Sequence, residues 1–116
     1  MNLVIDGDHA AIPAAVDVSV YRIVQEALTN VLKHAGPARA DVTIGCAEDA
    51  VTIEVTDNGS GQPGPLPPAV GHGLAGMRVR VAIFGGELRA GPRPGGGFAV
   101  RARLPLGGVL PSGERS

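Results

Sequence analysis

The hydrophobic period of the chain changes between Ala35 and Ala40, and that change limits the possible folds more than any other feature. Val20, Ile23, Val24, Ala27, Leu28, Val31 and Ala35 recur at spacings of three and four, which predicts one apolar face of an amphipathic helix. Asp17 stands where an N-cap is expected, its carboxylate able to accept from the free amides of the first turn. Gly36-Pro37 ends the pattern. From Ala40 the period drops to two. Val42, Ile44 and Cys46 alternate with Asp41, Thr43 and Gly45, and Val51, Ile53 and Val55 with Thr52, Glu54 and Thr56. A Glu48-Asp49 turn between the two runs predicts an antiparallel hairpin with one face inward.

The remaining segments fit around this pair. Residues 3 to 6 predict a short first strand ended by Gly7-Asp8, and Pro13 closes the loop after it. Gly59 to Gly71 is rich in Gly and Pro and too poor in apolar residues to pack by itself, the composition of a functional loop. A second helix is predicted from about Leu74 to Phe84, ended by Gly85-Gly86. Two strands follow, Glu87 to Ala90 and Phe98 to Leu104, separated by the turn Gly91-Pro92-Arg93-Pro94-Gly95. Residues 1–106 are expected to form one domain and residues 107–116 a flexible tail. Strands joined mostly by hairpins, with helices between them, predict an α+β two-layer sandwich: a mixed, mostly antiparallel sheet covered by helices on one face.

Composition narrows the function classes. With 116 residues, 44% of them hydrophobic, one core can be buried and not a second. Two Phe, one Tyr and no Trp leave that core to Val, Ala, Leu and Ile. A net charge of −1 with scattered basic residues lacks the footprint of a nucleic-acid binder. Cys46 has no second cysteine to pair with, and its apolar alternating run predicts a reduced, buried thiol. The first residues have neither a basic start nor a long apolar run, so no signal peptide is expected. No stretch approaches the roughly 20 apolar residues of a membrane helix. The expectation is a soluble, monomeric domain without membrane contact of its own, cytoplasmic either by itself or as the cytosolic part of a membrane-anchored protein.

Three short segments carry chemistry. On the first helix, steps of about 100° per residue bring Glu26, Asn30 and Lys33 onto one narrow polar stripe. That stripe lies away from the Val24, Leu28 and Val31 side, with His34 at its border. A carboxylate and an amide oxygen one turn apart suit a hard cation such as Mg²⁺, which takes few protein oxygens beside phosphates and water. Lys33 offers a point charge to a phosphate. The bland reading of such a stripe is a solvated helix face, but a mid-helix Asn has poor propensity and calls for a reason. Next, Asp57 ends a strand ahead of Asn58-Gly59-Ser60-Gly61. A carboxylate held there can accept from the exocyclic amine of adenine, and glycines let backbone approach a flat base; alone, Asp-Asn-Gly is a common turn. Last, Gly71-His72-Gly73-Leu74 is read as opening the second helix, whose free N-terminal amides form an anion site.

In this order and spacing the segments resemble the N box and the two glycine boxes of the ATP-binding domain shared by sensor histidine kinases, gyrase B, Hsp90 and MutL (the HATPase_c, GHKL or Bergerat type). The nearest likeness is to the sensor-kinase branch whose response regulators are of the NarL type. The resemblance covers residues 2 to 106. It implies a fold with ATP held between the helices and the sheet, and ATP and Mg²⁺ as ligands. By resemblance Asn30 is the metal ligand, and Glu26 orients or deprotonates the attacking group. Lys33 and His34 lie at the nucleotide, Asp57 reads adenine, and Gly59 and Gly61 shape the pocket floor. Gly71, His72, Gly73 and Leu74 meet the triphosphate under a lid formed by the preceding loop. The chain departs from the family pattern at Phe98, where Thr is usual, at Ala75, where Arg is usual, and at Val79, where an acidic residue is usual. Arg78 and Arg80 remain as candidate phosphate or partner contacts beside an ordinary solvating role.

A sensor kinase transfers the γ-phosphoryl group to a histidine on a separate helical hairpin. None of His9, His34 and His72 opens a long coiled-coil helix. The resemblance therefore implies the catalytic half of a larger kinase, partnered by a phosphoacceptor histidine domain and, downstream, a NarL-type response regulator. Phosphoryl transfer depends mostly on positioning and charge neutralisation, so turnover without a docked acceptor is expected to be negligible. Two other readings stay open: an anti-sigma-factor type serine kinase, which would place phosphate on a protein Ser, and a non-catalytic interaction module of the same fold.

Overall fold

The computed structural model describes residues 2–7, 12–34, 39–59, 68–94 and 96–106. It contains strand β1 (Asn2–Gly7), helix α1 (Ala14–His34), strands β2 (Ala40–Cys46) and β3 (Ala50–Asp57), helix α2 (Pro68–Ile83), and strands β4 (Glu87–Pro92) and β5 (Phe98–Pro105). The strands form one sheet in the order β1-β2-β3-β5-β4. β1 runs parallel to β2, with α1 as the crossover, and the other three pairings are antiparallel. The expected α+β sandwich is the observed architecture.

Register follows the alternation of the sequence. Val42 faces Val55, Ile44 faces Ile53 and Cys46 faces Val51; across the next pairing, Val55, Ile53 and Val51 meet Val100, Ala102 and Leu104. These rows form the inner face of the sheet. α1 lays Val16, Val20, Ile23 and Ala27 against it, and α2 adds Leu74, Met77 and Val81, all buried in one cluster. Ile23, wholly buried between layers, contributes about 2–3 kcal/mol by transfer from water. The outer face is polar, with ion pairs joining Arg101 to Glu54, Arg103 to Asp49 and Arg89 to Glu87. Cys46 is half-buried at the core margin rather than fully buried.

Two element boundaries differ from expectation. Asp17 is not the N-cap of α1: its amide already donates to Pro13 O at 3.0 Å, so the helix begins one turn earlier and Asp17 lies inside the first turn. α2 begins at Pro68, six residues ahead of Leu74. Proline at a first helical position is preset for helix and has no amide to strand, and the packing of Leu74, Met77 and Val81 outweighs the poor propensity of Gly71, Gly73 and Gly76. At the other end the expected stop holds. Gly85 (φ 74°) donates to Ala82 O at 2.9 Å and Gly86 to Val81 O at 3.0 Å, a Schellman closure. The expected tail, residues 107–116, lies outside the described residues.

The C-terminal end of β3 lies beside the β4–β5 turn and the start of β2, and the C-terminal half of α1 meets α2 where Glu26 approaches Gly73.

Candidate nucleotide site

Asn30 is the residue whose surroundings differ most from a solvated helix face. Along α1 the buried row runs Val16, Val20, Ile23, Ala27 at steps of four, three and four, and one further step of three reaches Asn30. An amide therefore takes the next place in a row of aliphatic side chains. Its Nδ2 is buried and meets no hydrogen-bond partner among the described residues. A buried, unmade hydrogen bond costs about 1–3 kcal/mol, and such a group is explained when a ligand supplies the partner. Rotation of the amide presents Oδ1 in place of Nδ2, so the same position can offer an oxygen to a cation or a donor to a phosphate.

Glu26, one turn earlier, lies against α2. A Cβ added at Gly73 would stand 2.5 Å from Glu26 Oε2 and 3.1 Å from its Cδ. Any larger residue would displace the carboxylate, so the glycine creates the space in which Glu26 rests. Glu26 is half-buried and Gly73 is half-exposed, so the carboxylate lies at the partly exposed contact between the two helices.

Asp57 ends β3 on the inner face and is only 5% exposed. Its Oδ1 accepts from Gly59 N at 2.8 Å, an Asx turn that uses one carboxylate oxygen and directs the group. Asn58 ties this corner to the start of β2: Arg39 N donates to Asn58 Oδ1 at 2.7 Å and Asn58 N to Arg39 O at 3.2 Å. A buried carboxylate with remaining acceptor capacity, beside buried Gly59, can receive an amine from a ligand that enters between α1, α2 and the sheet.

The phosphate end differs from expectation. Gly71-His72-Gly73 does not open α2; the helix starts at Pro68, and its free amides belong to the first turn, ahead of these residues. Gly71 and His72 are exposed on the helix, while the Leu74 side chain is buried in the core. The backbone of Lys33 and His34 completes the last turn of α1, but their side chains, Gly61 and the expected lid lie outside the described residues. Among the described residues no group of three His, Cys, Asp or Glu side chains could hold a metal ion. No helix among these residues is long and apolar enough to cross a membrane. Neither the contact between Gly73 and Glu26 nor that of Arg93 with Asp57 is legible in the sequence, because neither spacing nor composition records which surfaces meet.

Residues 15–108 match the family model described as Histidine kinase-, DNA gyrase B-, and HSP90-like ATPase. The chain is 36% identical to the sensor histidine kinase LnrJ of Bacillus subtilis strain 168 over 88% of its own length and 25% of that protein. It is 37% identical to the sensor histidine kinase NarS of Mycobacterium tuberculosis H37Rv over 82% of its length and 23% of that protein. Among solved structures, the histidine kinase domain of the blue-light activated histidine kinase EL346 of Erythrobacter litoralis aligns with a TM-score of 0.64 and 26% identity. That alignment covers 91% of this chain and 55% of that one. The chain thus spans about a quarter of the length of these two curated relatives. With the family model covering most of the chain and the sheet and helices in agreement, the chain belongs to the HATPase_c family of histidine kinase-, gyrase B- and Hsp90-like ATPase domains.

Proposed function

We propose that this chain is the ATP-binding catalytic domain of a two-component sensor histidine kinase, holding Mg-ATP for transfer of the γ-phosphoryl group to a histidine on a separate dimerisation domain. The observation that supports it most directly is the buried, unpartnered amide of Asn30, one turn from Glu26. Asn30 would hold the Mg²⁺ through its amide oxygen. The ion, when bound, neutralises charge on the β- and γ-phosphates. Asp57 would accept from the exocyclic amine of adenine, with Gly59 and Gly61 leaving room for the base. Glu26, held against Gly73, would orient the acceptor histidine and take its proton as the phosphoryl group arrives. Lys33 and His34 follow Asn30 along the helix toward the phosphates. Gly71, His72, Gly73 and Leu74 would border the triphosphate, Leu74 through its backbone alone since its side chain is in the core.

That the relatives are named sensor histidine kinases supports a phosphoacceptor histidine domain of the same kinase as the partner; a NarL-type response regulator would act downstream. The domain would work in the cytoplasm, where ATP and the regulator are found.

Calorimetric titration of ATP with and without Mg²⁺ tests the binding step. Saturable binding that loses its Mg²⁺ dependence in Asn30→Ala is the expected result. Transfer of the terminal phosphate of ATP to a supplied phosphoacceptor domain tests the chemistry. Phosphate that is stable to acid and labile to base, as on serine, would sink the histidine-kinase assignment.

A further inference from the structure

The end of β3 is held from the side opposite Arg39 by the turn between β4 and β5. Arg93 Nη1 donates to the Asp57 carbonyl at 2.8 Å. The β3–β5 ladder ends where Thr56 pairs with Ala99, so this carbonyl lies one residue beyond the last paired position. The guanidinium supplies the donor that a longer strand would have supplied, in a charge-assisted form. The turn carrying Arg93 is itself closed, with Arg93 N donating to Gly97 O at 2.9 Å and Gly96 N to Arg93 O at 3.1 Å. Gly97 has φ 90°, and a Cβ there would overlap the Asp57 carbonyl. The two backbones are therefore in direct contact. The Phe98 side chain, at the first residue of β5, has no polar group, and the side-chain donor to the Asp57 carbonyl comes from Arg93 in the turn.

We propose that Arg93 is a positioning residue for base recognition: it fixes the Asp57–Asn58 peptide, and through it the direction in which the buried Asp57 carboxylate faces the exocyclic amine of adenine. The inference rests on the reading of Asp57 as the adenine acceptor. The link is geometric. Gly59 N reaches Asp57 Oδ1 only while the peptide after Asp57 keeps its orientation, and Arg93 holds the oxygen of that same peptide. Without Arg93 the peptide is held on one side alone, through Asn58 N on Arg39 O at 3.2 Å, so it can tilt about that bond, and the carboxylate tilts with it. The base is then read by a misdirected acceptor, while contacts to the phosphates are unaffected. Selectivity for the base should fall more than affinity for the triphosphate.

The test uses the whole chain and two nucleotides, ATP and ITP, whose base lacks the exocyclic amine. Binding is measured for the wild type, Arg93→Ala, Arg93→Lys, Asp57→Asn and the Arg93→Ala/Asp57→Asn double variant, with the Tm of each. Arg93→Ala should weaken ATP roughly tenfold, the scale of one charge-assisted hydrogen bond, and leave ITP unchanged. Arg93→Lys should recover part of the preference, and Arg93→Ala should have no further effect on ATP once Asp57 is Asn. Equal weakening of both nucleotides, or a lowered Tm with the ATP preference intact, would reduce Arg93 to a structural brace and overturn the proposal. ATP binding that depends on Asp57 but ignores Arg93→Ala would overturn it while leaving the adenine reading standing. Unchanged ATP binding in Asp57→Asn would remove the adenine reading and this inference together.

Discussion

Asn30 shows how one side chain can be costly to the fold and useful to a ligand. Its amide continues the row of Val20, Ile23 and Ala27 and has no partner for Nδ2. Replacing it with Leu removes an unmet hydrogen bond and adds apolar surface to the cluster. Asn30→Leu is therefore expected to leave stability unchanged or raise it by about 1 kcal/mol, while abolishing Mg²⁺-dependent ATP binding. Chemical denaturation and calorimetry on the same sample check both halves; a loss of stability would show that Asn30 is structural. Gly73 poses the converse case. Gly73→Ala should bind ATP near normally, because Glu26 has a flexible end that can move away from the new methyl. Phosphoryl transfer to an added acceptor domain should fall at least tenfold, since the carboxylate is displaced from its place against α2. Equal transfer by wild type and Gly73→Ala would remove Glu26 from the mechanism.

Among the elements, α1 does two tasks along one length. Its N-terminal half supplies Val16, Val20 and Ile23 to the core, and its C-terminal half carries Glu26 and Asn30, the candidate site residues. Truncating the middle should damage the first task without touching a ligand contact. Ile23→Ala is expected to cost about 2–5 kcal/mol, read as a lowered denaturation midpoint, with ATP affinity of the folded fraction unchanged. α2 depends on its closing turn, where Gly85 at φ 74° ends the helix and Gly86 packs against the Arg103 backbone. Gly85→Ala should cost about 1 kcal/mol. By contrast Arg101 and Glu54 pair on the exposed outer face, and Glu54→Gln is expected to shift stability by less than about 1 kcal/mol. Element identity was largely legible in the chain. Strands β2 and β3, their pairing and the end of α2 follow from local periodicity and glycine placement. The starts of α1 and α2 were not legible, because Pro13 and Pro68 open those helices without a polar capping side chain, and tertiary burial of Leu74 and Met77 carries α2 through three glycines.

The molecule as a whole is a layered domain, with the helices on one face of a five-stranded sheet. Phosphoryl transfer needs an acceptor aligned with the γ-phosphate. ATP alone should therefore be hydrolysed negligibly by this chain, and turnover should appear when the acceptor domain is added; appreciable hydrolysis of ATP by the chain alone would contradict that division of labour.

Taken by itself, the sequence determined the α+β class, the strands and their inward faces, and the order of the Glu26–Asn30, Asp57 and Gly71–Leu74 segments that carry the family likeness. These are local or periodic properties, set by side-chain alternation and by motifs a few residues long. Only the tertiary structure decided that β5 enters between β3 and β4, that Asn30 ends a buried row rather than a solvated stripe, that Gly73 makes room for Glu26, and that Arg93 holds the carbonyl of Asp57. Each of these is a contact between segments far apart in the chain. Such contacts arise when two faces with suitable shape and unmet hydrogen bonds are brought together by burial of the core, and neither face carries a record of its partner in its own stretch of sequence.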